Sequence, residues 1–464
     1  MNEPTAAVRS LLVRHALGFA INFSGTLVLA RELGPAVWGT YSVAYVALLI
    51  LQGIVERGTV GHLIRSRDAT FGTALTAQAV AGTGLATALV ATTAAASARI
   101  GTGELTPLLH AVAIAVVAYA LRAVPLGLLE RGSRFTRVAA VEVADLLAFN
   151  AIAVGALLTG AGSAGLAAGI VARALVSLLL AWRLAGVRPR LGFSLRELRE
   201  QFAFSAPYTA ANALAWANVA AAPLLVGGIA GVRELGILQL AYSLVLYPQL
   251  LNTIVARVSF PLYASPERRP ASVAADVERV TTLSIRFMGT GVIGVALTSP
   301  LWVPPLFGHE WLGVVPIMLT VAPAVGFATS LANVIAALNA RGHAGVALAV
   351  GLAFTAVYWS GGYLLVPGAG ALGLTLAQVI ATVVFGAYLY LHARLIGTIS
   401  LARVLATYAA SCLLLIASAL LIGHPAGTLV IVIGAMTLLW TTVRHLDRKR
   451  VASWLGALMI GFRG

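Results

Sequence analysis

Apolar stretches of about 20 residues recur from one end of this chain to the other. The short connections between them carry most of the charge, chiefly as arginine. A stretch of that length crosses the hydrocarbon core of a bilayer as one helix. Helices are favoured there because each backbone N–H and C=O must find its partner within the segment. Composition rules out a water-soluble alternative. Of 464 residues, 59% are apolar and 10% charged, and the mean hydropathy is +0.92; a soluble domain carries about 25% charged residues. The fold class expected is an all-α polytopic membrane protein.

The apolar content suffices for about 14 transmembrane helices. Charge and turn residues place their starts near Val8, Pro35, Gly72, Thr106, Arg137 and Ala164, then near Phe202, Leu235, Val280, Trp311, Gly345 and Ala369, with two more near Ala402 and Gly427. With the amino terminus in the cytosol and fourteen crossings, twenty-four basic residues fall on the cytosolic side. They include Arg57, Arg65 and Arg67 after the second helix, and Arg183, Arg188, Arg190, Arg196 and Arg199 after the sixth. Only Arg31, Arg99 and Arg233 fall outside. That asymmetry is the positive-inside pattern, and it accounts for the net charge of +15 without nucleic acid. It leads us to expect both termini in the cytosol, the chain lying in the plasma (inner) membrane.

Internal repetition divides the helices. A shift of 197 lays Gly34 on Gly231, Gly39 on Gly236, Ala44 on Ala241 and Tyr45 on Tyr242. A shift of 210 lays Arg131-Gly132 on Arg341-Gly342, and one of 208 lays Gly165-Leu166 on Gly373-Leu374. The common offset near 200 points to two six-helix lobes related by a pseudo-two-fold axis, plus two C-terminal helices. The expected organisation is an N-terminal lobe over 1–186, a cytosolic amphipathic linker over 187–201, a C-terminal lobe over 202–397, a helix pair over 398–443 and a basic tail over 444–464. Parallel repeats of this kind place a substrate cavity between lobes near the midplane and suggest rocking-type alternating access. Leu191 to Gln201 reads as an interfacial amphipathic helix, Ser265 to Arg279 as a flexible loop, and the basic tail as resting on anionic membrane lipid.

Charges inside spans are costly and therefore informative. Arg14, Arg122, Arg173 and Arg286 fall inside helices 1, 4, 6 and 9, and Glu142 and Asp145 inside helix 5. Arg122 and Asp145 lie at similar depth, where they can staple adjacent helices; Arg173 can pair with Glu142 or Asp145 in the same way. Two acids against four arginines still leave a positive surplus, which an anionic substrate would make tolerable. A guanidinium fork suits phosphate. Arg14, Gly18, Asn22 and Gly25 share one helix stripe that either lines a cavity or packs closely on a neighbour. Tyr208, Asn212 and Trp216 form a polar-aromatic face that either meets sugar rings or packs in the bundle. Asn252, Asn333, Asn339 and Gln378 are interior polar residues that either line the path or link helices. No GxxxxGK[ST] phosphate loop is present, the eight histidines are dispersed, and Cys412 is the single cysteine. No cofactor, metal or enzymatic activity is indicated.

Three stretches make the likeness specific. They are Leu29-Ala30-Arg31-Glu32-Leu33-Gly34-Pro35 with Trp38-Gly39-Thr40-Tyr41 and Gly58-Thr59-Val60-Gly61-His62-Leu63-Ile64-Arg65; Arg188-Pro189-Arg190 through Phe202-Ala203-Phe204-Ser205-Ala206-Pro207; and Leu306-Phe307-Gly308-His309-Glu310-Trp311. The chain resembles the polysaccharide (lipid-linked oligosaccharide) flippases of the multidrug/oligosaccharidyl-lipid/polysaccharide (MOP) exporter superfamily. The resemblance implies transfer of a polyprenyl-pyrophosphate-linked oligosaccharide from the inner to the outer leaflet, with membrane lipids and polysaccharide assembly proteins as partners. On it, Arg14, Arg122, Arg173, Arg286, Asn22, Tyr208, Asn212 and Trp216 become substrate-binding candidates. Two other readings stand beside it. One is a cation-coupled multidrug antiporter with Glu142 and Asp145 as ion-coupling sites; the other is a non-transporting scaffold of a polysaccharide assembly complex.

Overall fold

The computed structural model describes residues 3–65, 71–246, 263, 270–285 and 289–392. Among these residues the secondary structure is all helix joined by short connections, and eight helices are long and apolar enough to cross a membrane. This is a multi-pass membrane protein. Contacts divide it into two compact units, one of Ala6–Gly236 and one of Met1–Thr5 with Ile237–Gly464.

In the first unit, α1 (Glu3–Arg65) is followed by α2 (Phe71–Ile100), α3 (Leu105–Arg131), α4 (Phe135–Leu158), α5 (Ser163–Ala185) and α6 (Leu195–Ala221). A straight helix of α1's 63 residues would extend about 95 Å, some three times the hydrocarbon thickness. It does not run straight. Gly34 takes φ 70°, ψ 172°, a conformation that glycine reaches without a Cβ clash, and Pro35 then supplies a φ suited to a helical first turn. The result is two arms, 3–33 and 35–65, the second beginning at Pro35 where the sequence places a helix start. Helix α3 is apolar around most of its circumference, Tyr119 and Arg122 excepted, and is buried along most of its length, with α2 and α5 packed against it. A helix so apolar belongs in the centre of a bundle.

Helix α6 begins at Leu195, where Ser194 accepts from the Glu197 amide at 3.4 Å. Ser194-Leu195-Arg196-Glu197 is the S-x-x-E start signature, so the amphipathic helix expected over Leu191 to Gln201 starts four residues later. Its C-terminal end passes into a π-helical segment, Ala222–Ala230, that carries Pro223. Helix α7 (Val232–Leu246) follows.

The second unit holds α8 (Pro270–Ser284), α9 (Thr290–Phe307), α10 (Val314–Ala340) and α11 (Ala344–His392). The loop expected over Ser265 to Arg279 is therefore helical from Pro270. Val273, Val277 and Val280 share one stripe and are buried, with Val273 and Val277 in a core with Leu331, Val334 and Leu338. Burial of that stripe outweighs the polar remainder of the segment. Gly370, at φ 54° and ψ −135°, breaks α11 into two arms, so starts near Gly345 and Ala369 are both observed. The helix pair over 398–443 and the basic tail over 444–464 lie outside the described residues.

The duplication reappears as backbone geometry. Gly231 repeats the Gly34 conformation at φ 94° and ψ 167°, and Gly162 repeats that of Gly370 at φ 53° and ψ −131°. The turns after Arg131 and before His343 share one hydrogen-bond pattern, from Gly132, Ser133 and Arg134 and from Arg341, Gly342 and His343. Both contain a left-handed residue, Ser133 at φ 53° and Gly342 at φ 84°. Matching those turns needs a shift of 209, one residue from the sequence alignment.

Candidate functional site

Four helices of the first unit converge on one buried polar cluster. The second arm of α1 supplies Gln52 and Glu56, α3 supplies Tyr119 and Arg122, α4 supplies Asp145 and Phe149, and α5 supplies Arg173. Tyr119 and Arg122 fall on the same face of α3, one turn apart. The carboxylate of Asp145 is the hub. Its Oδ1 accepts from Tyr119 Oη at 2.7 Å and lies 3.6 Å from an Arg122 nitrogen. Its Oδ2 accepts from Arg173 Nε at 3.0 Å and from Arg173 Nη2. Arg122 turns its Nε toward Glu56 Oε1 at 2.7 Å, with Nη2 at 2.6 Å from the same oxygen, and Gln52 donates to Glu56 Oε2 at 2.8 Å.

Aromatic rings close the cluster. The Arg122 guanidinium sits 4.3 Å from the Tyr119 ring centre and that of Arg173 5.6 Å from Phe149, which stacks on Tyr41. Both cations are enclosed, so solvation comes from carboxylate, phenol and ring face.

Within this cluster a further carboxylate takes part beyond those the sequence pointed to. The acids counted inside spans from sequence are Glu142 and Asp145 alone, yet Glu56, next to the cytosolic Arg57, turns into the bundle and pairs with Arg122. With Glu56 counted, two carboxylates match two guanidinium groups, and no positive surplus remains in this cluster. The staple between Arg122 and Asp145 exists only as the longer of Arg122's two ion pairs; Arg173 is the closer partner of Asp145. The legible signal for Glu56 is its spacing four residues after Gln52, just beyond the apolar run Val43 to Leu51. Tyr119 carried no such signal.

The other candidates separate. Along the Arg14 stripe, Gly18 meets the Leu146 side chain and Gly25 that of Asn150. The stripe packs on α4, which accounts for its small residues. Asn22 is half-buried on that stripe. Trp216 of α6 lies over Gly53, where a Cβ would come within 2.9 Å of the indole, so its ring packs against α1 one turn from Glu56. Asn212 is half-buried on α6, and Glu142 half-buried on α4 one turn before Asp145. Arg286 and Asn252 lie outside the described residues, as do the side chains of Arg14 and Tyr208. In the second unit Gln378 and Asn333 link helices, whereas Asn339, expected inside, is exposed. Tyr242 donates to Gln378 at 2.6 Å and Asn333 to Ser284 at 2.9 Å.

A bundle of long apolar helices whose described interior charges pair with one another is the build of a polytopic membrane protein, and solved structures share this fold. A lipid II flippase, MurJ, in its inward closed conformation, is similar at a TM-score of 0.72 and 12% identity, over 95% of this chain and 99% of that one. An inward-facing multidrug MATE transporter of the MOP superfamily is similar at 0.68 and 12%, over 82% and 95%. The profile of the polysaccharide biosynthesis protein family matches residues 28–316, more than half of the chain. The chain belongs to that family.

Two curated relatives are similar in sequence. The teichuronic acid biosynthesis protein TuaB of Bacillus subtilis is 32% identical over 181 residues, 39% of this chain and 36% of that protein. The lipopolysaccharide biosynthesis protein WzxC of Escherichia coli is 23% identical over 318 residues, 67% of this chain and 64% of that protein. Neither match reaches two thirds of the relative's own length.

Proposed function

We propose that this protein flips a polyprenyl-pyrophosphate-linked oligosaccharide from the cytosolic to the outer leaflet by alternating access, for cell-surface polysaccharide biosynthesis. Membership of the polysaccharide biosynthesis family carries the reading, and the likeness to a lipid II flippase over nearly the whole chain supports the same mode of transport. Interior arginines would hold the diphosphate, and polar and aromatic side chains the sugar. In the described state Arg122 and Arg173 are engaged by Glu56 and Asp145. The diphosphate role therefore falls first to Arg14 and Arg286, and Arg122 and Arg173 organise the first unit. The antiporter reading draws less support, because both oxygens of Asp145 are taken by donors of the same unit.

The test is reconstitution in liposomes with a fluorescent polyprenyl-pyrophosphate oligosaccharide in the inner leaflet. Transfer to the outer leaflet by the intact chain is expected. Arg14→Gln and Arg286→Gln should abolish it while the protein still inserts. Absence of transfer by a folded, correctly inserted chain would overturn the proposal.

A further inference from the structure

The segment between α5 and α6 is neither a helix nor a free loop. Gly192 is clamped to the first turns of α2, with Thr76 Oγ1 donating to the Gly192 carbonyl at 2.7 Å and receiving the Gly192 amide at 3.3 Å. Backbone meets backbone there, since a Cβ on Gly72 would come within 3.1 Å of the Gly192 amide nitrogen. In extended chain, successive side chains point to opposite sides. With Gly192 turned toward α2, its neighbours face away: Leu191 is 75% and Phe193 74% exposed. Two arginines precede them, Arg188 and Arg190, both exposed.

The same end of the unit gathers more of the same chemistry. Arg137 donates to the Leu184 carbonyl at 2.8 Å, tying the start of α4 to the end of α5 just before the strap. Exposed Phe135 lies beside exposed Arg134. Leu195 and Phe202 are exposed on α6 with Arg196 and Arg199. Apolar side chains fixed next to arginines at the edge of a membrane-spanning bundle fit one environment, the boundary between acyl chains and anionic headgroups.

We infer that the strap 187–194 is a lipid-binding anchor, with Leu191 and Phe193 inserted below the headgroups and Arg188 and Arg190 on anionic lipid phosphates. The clamp makes this possible by fixing which side chains face outward before any lipid arrives. A strap so held keeps its outward face in register with α2. The inference rests on the membrane class of the protein and not on its substrate.

The experiment places a bimane at Phe193→Cys in a full-length Cys412→Ser background, reconstituted in vesicles of phosphatidylcholine alone or with phosphatidylglycerol. In the anionic vesicles a spin label carried near the lipid headgroup should quench the bimane, and aqueous iodide should not. Arg188→Gln with Arg190→Gln should lower the ratio of inserted to free strap about thirtyfold, the effect of two basic groups at an anionic surface, whereas Arg188→Lys with Arg190→Lys should retain it. Thr76→Val, which unclamps Gly192, should restore iodide access. Equal iodide quenching in both vesicles, with the lipid-borne label silent, would overturn the inference and leave the face open to an acidic protein partner.

Discussion

At the residue scale, the buried cluster separates what sequence can show from what it cannot. That Arg122, Asp145 and Arg173 have partners was legible, because a lone charge in a span is too costly to leave unpaired. Who pairs with whom was not. Glu56 stands next to Arg57, where the sequence expects the span to end, whereas the arm runs on to Arg65, so the expected span end gives no sign that Glu56 turns into the cluster. The helix rotations that carry Tyr119 to Asp145 are tertiary facts with no local trace. Breaking a buried pair leaves an uncompensated charge and costs about 3–5 kcal/mol. Asp145→Asn and Arg173→Gln should therefore each lower the thermal midpoint of the detergent-solubilised protein markedly. The double variant should recover most of the loss and retain flipping. Recovery of stability without flipping would return Arg173 to the substrate site. Glu56→Gln should likewise destabilise, and Arg122→Gln in combination should relieve it.

At the scale of elements, glycines mark the turns that sequence repetition first exposed. Gly34 and Gly231 share a conformation closed to other residues, and five residues on in each repeat Gly39 and Gly236 share a second property. Gly39 abuts the Val232 carbonyl and Gly236 the Pro35 carbonyl, and Val232 is the repeat counterpart of Pro35. A Cβ at Gly39 would come within 2.9 Å of the Gly236 amide, and one at Gly236 within 3.0 Å of the Gly39 amide. Both glycines belong to the first unit, so this reciprocal contact ties the start of α7 to the second arm of α1. Sequence showed that the glycines recur; their meeting needed coordinates. Gly39→Val and Gly236→Val should each cost about 1–3 kcal/mol through overpacking. Gly84→Val, at an exposed site with nothing within 4 Å, should be silent in the same thermal unfolding measurement. The element that sequence misplaced, α8, fails for a related reason: its apolar stripe is narrow, and distant residues such as Leu331, Val334 and Leu338 on α10 and Val350 and Leu389 on α11 give that stripe something to cover.

For the whole molecule, the decisive quantity is where the arginines lie, because insertion is set by basic residues in short connections. The described connections alternate in chemistry as the crossings require. Ser97 to Thr106 and Thr159 to Ser163 hold Arg99 as their one basic residue, whereas Arg131 to Arg137 and Arg183 to Arg199 hold eight arginines between them. Helices α3, α4 and α5 each pass from one kind of connection to the other, so a single orientation satisfies all of them together. A missed or added crossing within this region would put unlike connections on one side. In a Cys412→Ser background, cysteines at Ser133 and Arg188 should therefore react with a membrane-impermeant maleimide only from the cytosolic side. Cysteines at Thr102 and Ala161 should react only from outside. Labelling of Thr102 and Ser133 from one side would break the alternation, and with it the inward-to-outward direction assigned to transport. Reversal of all four would keep the fold and invert the leaflet from which the diphosphate is drawn.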